Sequence, residues 1–138
     1  MNLTRVGLLL VLLVLIRATY LYYSLPPEPK GPADPERLSA EEAQYSVLMM
    51  LAPLREGTFA DGEYAPPDVR DAARTAYRDI ARARRKQDGG DVWFGRLTCE
   101  LPARRFSFRY GSILFTGTYE VRDQKWVAVP EIIHLCRR

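Results

Sequence analysis

The chain has few of the residues that hold metals or carry covalent chemistry. One histidine, His134, excludes a histidine-rich metal site, and the two cysteines, Cys99 and Cys136, lack the close spacing of a zinc ligand pair. Glycine-rich phosphate loops, a G-x-S-x-G elbow and an H-E-x-x-H helix are also missing. Neither a cofactor nor a metal is therefore expected. Lysine is scarce too, since 17 of the 20 basic residues are arginine. The formal net charge is +3. Arg5 and Arg17 are the basic residues that precede Ser24, so the remainder is close to neutral and calls for no polyanionic partner. With no nucleic-acid motif and no aromatic interleaving of its basic residues, the chain is not expected to bind nucleic acid.

What the sequence does have begins at its N-terminus. Val6–Ile16 is an eleven-residue run without a polar side chain. Extended to Leu3 and Tyr23 it makes a helix about 31 Å long, the thickness of a bilayer core of about 30 Å. Leu3, Val6, Leu10 and Ile16 are its apolar contacts, Arg17 snorkels toward the outer end, and Tyr20, Tyr22 and Tyr23 form half an aromatic belt. A cleaved signal peptide needs small residues before its cut, and the bulky or charged residues around Arg17–Tyr20 and Tyr22–Leu25 do not supply them. The expectation is residues 1–23 as a tail and single transmembrane signal-anchor in a bacterial inner membrane. The N-terminus is then cytoplasmic and the rest of the chain extracytoplasmic.

Residues 24–38 form a linker: Leu25–Pro35 holds five of the ten prolines and has too little apolar surface to fold, so it reads as a stiff, extended spacer. Residues 39–138, about 100, are one small domain by the usual size range. It opens on Ser39 and Glu42, spaced for a capping box. Ala43, Val47, Met50, Leu51 and Leu54, widened by Leu48 and Met49, then recur at helical spacing up to Pro53. Gly57–Ala65 reads as a loop, plugged by Phe59 and Tyr64 and solvated at Asp61 and Glu63. Pro66-Pro67 starts a second helix, with the stripe Val69, Ala72, Ala73, Ala76, Tyr77 and Ile80. Arg82, Arg84, Arg85 and Lys86 complement its C-terminal dipole, and Asp88-Gly89-Gly90 stops it.

From Asp91 the period changes to two. Val92–Leu101, Arg104–Tyr110, Ile113–Val121 and Lys125–Leu135 read as four strands joined at Pro102-Ala103, Gly111-Ser112 and Asp123-Gln124. Two-residue turns at all three joints set Tyr110 against Ile113, Phe108 against Phe115 and Leu97, Cys99 against Phe106 and Val121 against Trp126, all apolar. On the other face the same register sets Glu100 against Arg105 and Thr98 against Ser107. The fold class is therefore α+β: a transmembrane helix, then two helices on a four-stranded antiparallel meander. That order resembles the helix-then-curved-sheet cones of the cystatin-like and NTF2-like folds as a topology, and no residue motif carries a family.

His134 and Cys136 share one side of the last strand, and an imidazole there would activate a thiol; the plainer reading, which we prefer, is a histidine and a small core-type cysteine. In this register Cys136 lies roughly 20 Å along and about 14 Å across from Cys99, too far for a disulfide. The last strand is apolar on both faces. Val127 and Val129, with Ile133 and Leu135 beyond Pro130, point outward beside Leu114, bordered by Arg96, Arg105 and Arg109. The expected function is that of a non-enzymatic binding or assembly subunit in an envelope complex. It sits in the lipid bilayer and docks another membrane or envelope protein, or a further copy of itself, through the outer sheet face. The alternatives are a site for a small apolar ligand between helices and sheet, or a Cys/His thiol enzyme.

Overall fold

Ser39 begins the folded domain by closing the amide end of its first helix. Its side chain accepts from the Glu42 N–H at 3.2 Å, while Glu42 Oε1 reaches back to the Ser39 N–H at 3.3 Å, the capping box expected from the sequence. The computed structural model describes residues 3–24 and 26–135, those from 18 to 24 by their backbone alone. Among the described residues three helices, α1 (Leu3–Ser24), α2 (Ala40–Arg55) and α3 (Pro67–Arg82), precede six strands, β1 (Arg85–Asp88), β2 (Asp91–Phe94), β3 (Leu97–Glu100), β4 (Arg105–Tyr110), β5 (Ile113–Arg122) and β6 (Lys125–His134). The strands form one antiparallel meander in sequence order, so β1 and β6 are its edges. The class is α+β.

The registers of β3–β4, β4–β5 and β5–β6 are those read from the turns. Cys99 pairs with Phe106, Phe108 with Phe115, Tyr110 with Ile113 and Val121 with Trp126. Asp123 and Gln124 both adopt positive φ, 49° and 63°, as the two-residue turn between β5 and β6 demands. Alternate residues Phe106, Phe108, Tyr110, Phe115 and Tyr119 are buried against the helices, and Arg105, Ser107 and Arg109 are exposed. α2 packs on both α3 and β6 and also touches β3. The Tyr119 hydroxyl donates to the Ala43 carbonyl of α2 at 3.4 Å and lies 3.3 Å from Cys99 Sγ on β3, two strands away. One helix contacts both β3 and β6, so the sheet curls around α2. Buried Gln44 completes the helix pair by donating to the Ile80 carbonyl at 2.9 Å.

Six strands replace the expected four. Val92–Leu101 is two strands, folded at Gly95-Arg96 with Gly95 at φ +63°. α3 ends at Arg82 because Ala83 turns extended, and Arg85 and Lys86 enter β1, whose four residues are all exposed and which pairs with β2 alone. Arg82 thus stays in the last turn of the helix as expected, while Arg85 and Lys86 leave it, and Arg85 instead meets Glu41 at 2.8 Å. α2 runs two residues past Pro53, whose carbonyl accepts from the Glu56 and Thr58 N–H groups. Leu48 is buried and Met50 half-buried, but Met49 is 44% exposed. Phe59 packs on the core as expected, whereas Tyr64 is 89% exposed and plugs nothing.

Among the described residues no helix is long and apolar enough to cross a membrane, so the expected spanning helix is not confirmed. Its uninterrupted apolar run, Val6–Ile16 between Arg5 and Arg17, is about 16 Å long at helical rise, roughly half a hydrocarbon core. The aromatic belt of Tyr20, Tyr22 and Tyr23 lies outside the described side chains. The linker is not a free spacer either. The Ala33 N–H donates to the Gln124 carbonyl at 2.8 Å, an Arg104 guanidinium N–H donates to the Pro35 carbonyl at 2.9 Å, and Lys125 pairs with Glu28 at 3.0 Å.

Gly117 pairs with Phe106 on one side and Pro130 on the other, where a Cβ would meet the Val129 carbonyl oxygen at 2.0 Å and the Phe106 ring at 2.7 Å. Gly117→Ala is expected to destabilise the domain by about 1–3 kcal/mol, the usual cost of overpacking. Urea denaturation checks this, and an unchanged midpoint would show that the strands separate freely there.

Candidate functional site

β6 is the strand on which the candidate groups meet. Its alternation passes through Pro130 unbroken: Pro130 pairs with Gly117, Val129 with Thr118, Val127 with Glu120 and Ile133 with Leu114. Pro130 has no N–H to give a ladder, and an edge strand tolerates it. Val127, Val129 and Ile133 therefore share the outward face with Leu114, as expected. Ile133 is 37% exposed, while Leu114, Val127, Val129 and Leu135 are half-buried. The strip is a narrow column rather than a sheet-wide patch, because Glu131 falls between Val129 and Ile133 and its cross-strand partners include Thr116, Thr118 and Glu120.

Two of the three expected border arginines stand beside it. Arg109 pairs with Leu114 and donates from Nε to the Gly111 carbonyl at 3.0 Å; Arg105 pairs with Thr118 and bridges to Glu100 at 3.0 Å. Arg96 does not belong to this border. It sits in the β2–β3 turn with its guanidinium 5.0 Å from the Tyr110 ring centroid, on the helix-facing side.

The same strand forms one wall of an apolar cleft, in the place where the sequence offered a small apolar ligand between helices and sheet as an alternative, without naming its residues. About 400 Å³ in volume, it lies between α2 (Ser46, Met49, Met50, Leu54) and β6 (Trp126–Ala128, Pro130), and Phe59, Glu28 and Lys125 also line it. A smaller cavity of about 40 Å³ adjoins it, also lined by Tyr45, Trp126 and the linker residues Pro29 and Ala33. Trp126, 7% exposed, is shared by both walls, and its indole N–H is buried with no hydrogen-bond partner among the described residues. The Arg104 guanidinium lies 5.4 Å from the Trp126 ring centroid. Burial, then the Glu28 carboxylate, raises the Tyr45 phenol, and the hydrogen bond that the Lys125 ammonium donates to Glu28 raises the Lys125 pKa.

No protein-family model, curated protein or solved structure matches the chain. Its chemistry has to be read from these residues alone.

The His134–Cys136 pair is not among the described residues. Cys136 lies outside the described residues, and with it the question of a Cys99–Cys136 bridge. His134 pairs with Ile113 on the helix-facing side, its Nε2 3.2 Å from Asp68 Oδ2 in the first turn of α3. Cys99 is a free, fully buried thiol whose pKa burial pushes up to about 11, against a partial lowering by the Tyr119 hydroxyl. Among the described residues no group of three or more His, Cys, Asp or Glu side chains is arranged to hold a metal ion.

Burial also pushes the Tyr110 phenol up to about 12, aided by the Asp79 carboxylate. Both groups are held neutral in the folded state, so their contribution is complete below the unfolded pKa and is lost as pH rises toward the folded one. Stability is expected to hold to about pH 9, then to fall toward pH 11 as the unfolded chain ionises at Cys99, by up to about 3 kcal/mol. In Cys99→Ala the fall should begin about one pH unit later, with Tyr110. Thermal melts across pH 7–11 read this directly, and identical alkaline profiles for the two proteins would refute the assignment.

Proposed function

We propose that this chain is a binding or assembly subunit of an envelope complex, held at a membrane by α1 and docking another membrane protein through the outer face of its sheet along β6. The observation that carries the reading is the unbroken parity of β6, which sets Val127, Val129 and Ile133 beside Leu114 on the face opposite α2 and α3. Lone exposed apolar residues are ordinary, but an aligned column on a face where polar residues should alternate favours a protein contact. The partner surface that fits is an apolar ridge with carboxylates facing Arg105 and Arg109.

The membrane half of the proposal rests on the exposed apolar surface of α1, although its uninterrupted apolar run is shorter than a hydrocarbon core. Its described apolar residues are all exposed, from Val6 at 39% to Leu3 at 88%, and they surround the helix rather than forming a stripe. A helix apolar on every side is stable when something apolar covers it, and we assign that role to the bilayer, with Arg17 snorkelling at the outer boundary. The N-terminus then faces the cytoplasm and the domain faces away from it. Tethering also helps a small contact. A column of four residues is well below the roughly 800 Å² per partner of a stable interface, and confinement of both proteins to one membrane raises their effective concentration.

Carbonate and high salt should leave the protein in the membrane pellet, and detergent should release it; extraction by carbonate would remove the anchor reading. Protease added outside spheroplasts should cleave the domain, and its protection would reverse the orientation. A photo-crosslinking residue at Val129 should give one discrete adduct, lost in Ile133→Asp with the melting curve unchanged. An adduct of twice the chain mass would make the partner a second copy, and an adduct indifferent to Ile133→Asp would refute docking through this face.

A further inference from the structure

We propose that the cleft between α2 and β6 binds a single-chain amphiphile with a carboxylate head, and that Glu28 of the linker occupies the head's place on Lys125 when the cleft is empty. The cleft lies on the helix-facing side of the sheet and shares one residue, Val127, with the docking surface on the outward face.

The walls are apolar and adaptable. Met49 and Met50 face Trp126, Ala128 and Pro130 across a volume of about 400 Å³. That is near the lower end of the roughly 300–1,000 Å³ of small-molecule sites, room for one chain rather than two. Methionine fills such irregular space without fixing a shape, which suits a flexible chain. The polar groups collect at one end. Lys125 Nζ meets Glu28 Oε1 at 3.0 Å there, and both side chains are more than half exposed. The cleft thus already holds a carboxylate, and it belongs to the chain itself.

Exchange of that carboxylate is easy. An exposed ion pair contributes little to stability. The linker is fixed separately, through Ala33 to Gln124 and Pro35 to Arg104, so release of Glu28 need not detach it. Gly31 at φ +85°, between the fixed part and Glu28, provides the pivot.

The test uses the full chain in phosphatidylcholine nanodiscs with a diazirine-bearing dodecanoate, irradiated and mapped by mass spectrometry. Saturable labelling is expected in the segments 45–59 and 125–130, displaced by dodecanoate but not by dodecanol or lysophosphatidate. Lys125→Met should weaken binding about tenfold, and Glu28→Gln, which removes the competing carboxylate, should strengthen it severalfold; a passive apolar sink would show neither effect. Met50→Trp, filling the cleft, should abolish labelling, with a melting curve confirming that the domain is folded. Labelling confined to α1, equal displacement by dodecanol, or an affinity unchanged by both Lys125→Met and Glu28→Gln would overturn the proposal. Displacement by lysophosphatidate but not dodecanoate would overturn the carboxylate and point to a membrane phospholipid.

Discussion

The alternation of side chains along a pleated ladder is the constraint on which this molecule rests. From β4 through β6 every second residue is committed to the concave face over α2, and the commitment is enforced by turns that allow no slack. Core composition, the outward column on β6 and the position of the cleft all follow from that phase. A shift of one residue would send Phe106, Phe108, Phe115 and Tyr119 to the solvent together. Tyr119 shows how the curl is held: one phenol spans from β5 to the Ala43 carbonyl of α2 and the Cys99 sulfur of β3.

Where the sequence carried local signals, the structure could be read from it. Ser39 with Glu42 announced the start of α2, and Gly111-Ser112 and Asp123-Gln124 announced hairpins whose registers then followed from pairing like with like. The turn at Gly95-Arg96 also left a trace. Phe94 and Leu97, both buried, are three residues apart, which a single strand cannot place on one face. β1 left none, since Arg85–Asp88 is fully polar and exposed and owes its strand conformation to pairing with β2. Its basic residues favour helix by intrinsic propensity, and the neighbouring strand outweighed that preference.

The site was legible in part for the same reason. Period and parity placed Leu114, Val127, Val129 and Ile133 correctly relative to one another, because those relations are internal to a hairpin. Arg96 was misplaced because its position depends on a turn the strand reading had erased. The cleft depends on how far α2 stands from an edge strand, a tertiary distance with no local signature. Exposed Met49, one turn beyond Tyr45, was the residue that could have hinted at it. The strapped linker was equally hidden. Its attachments at Ala33 and Pro35 run through backbone atoms, which composition does not distinguish from those of a free spacer.

Gly117 also bears on how the chain avoids pairing wrongly. Sliding β5 along β6 or β4 would bring a residue with a side chain into the space between the Phe106 ring and the Val129 carbonyl, and no residue except glycine fits there. The absent side chain acts as a notch that accepts one alignment. It discriminates against misaligned hairpins by steric exclusion, which does not weaken with salt or temperature as ion pairs and apolar contacts do. For a sheet whose last strand is an open edge with apolar residues on both faces, such a notch disfavours the slipped pairings that would leave more of that strand unpaired and open to a neighbouring chain.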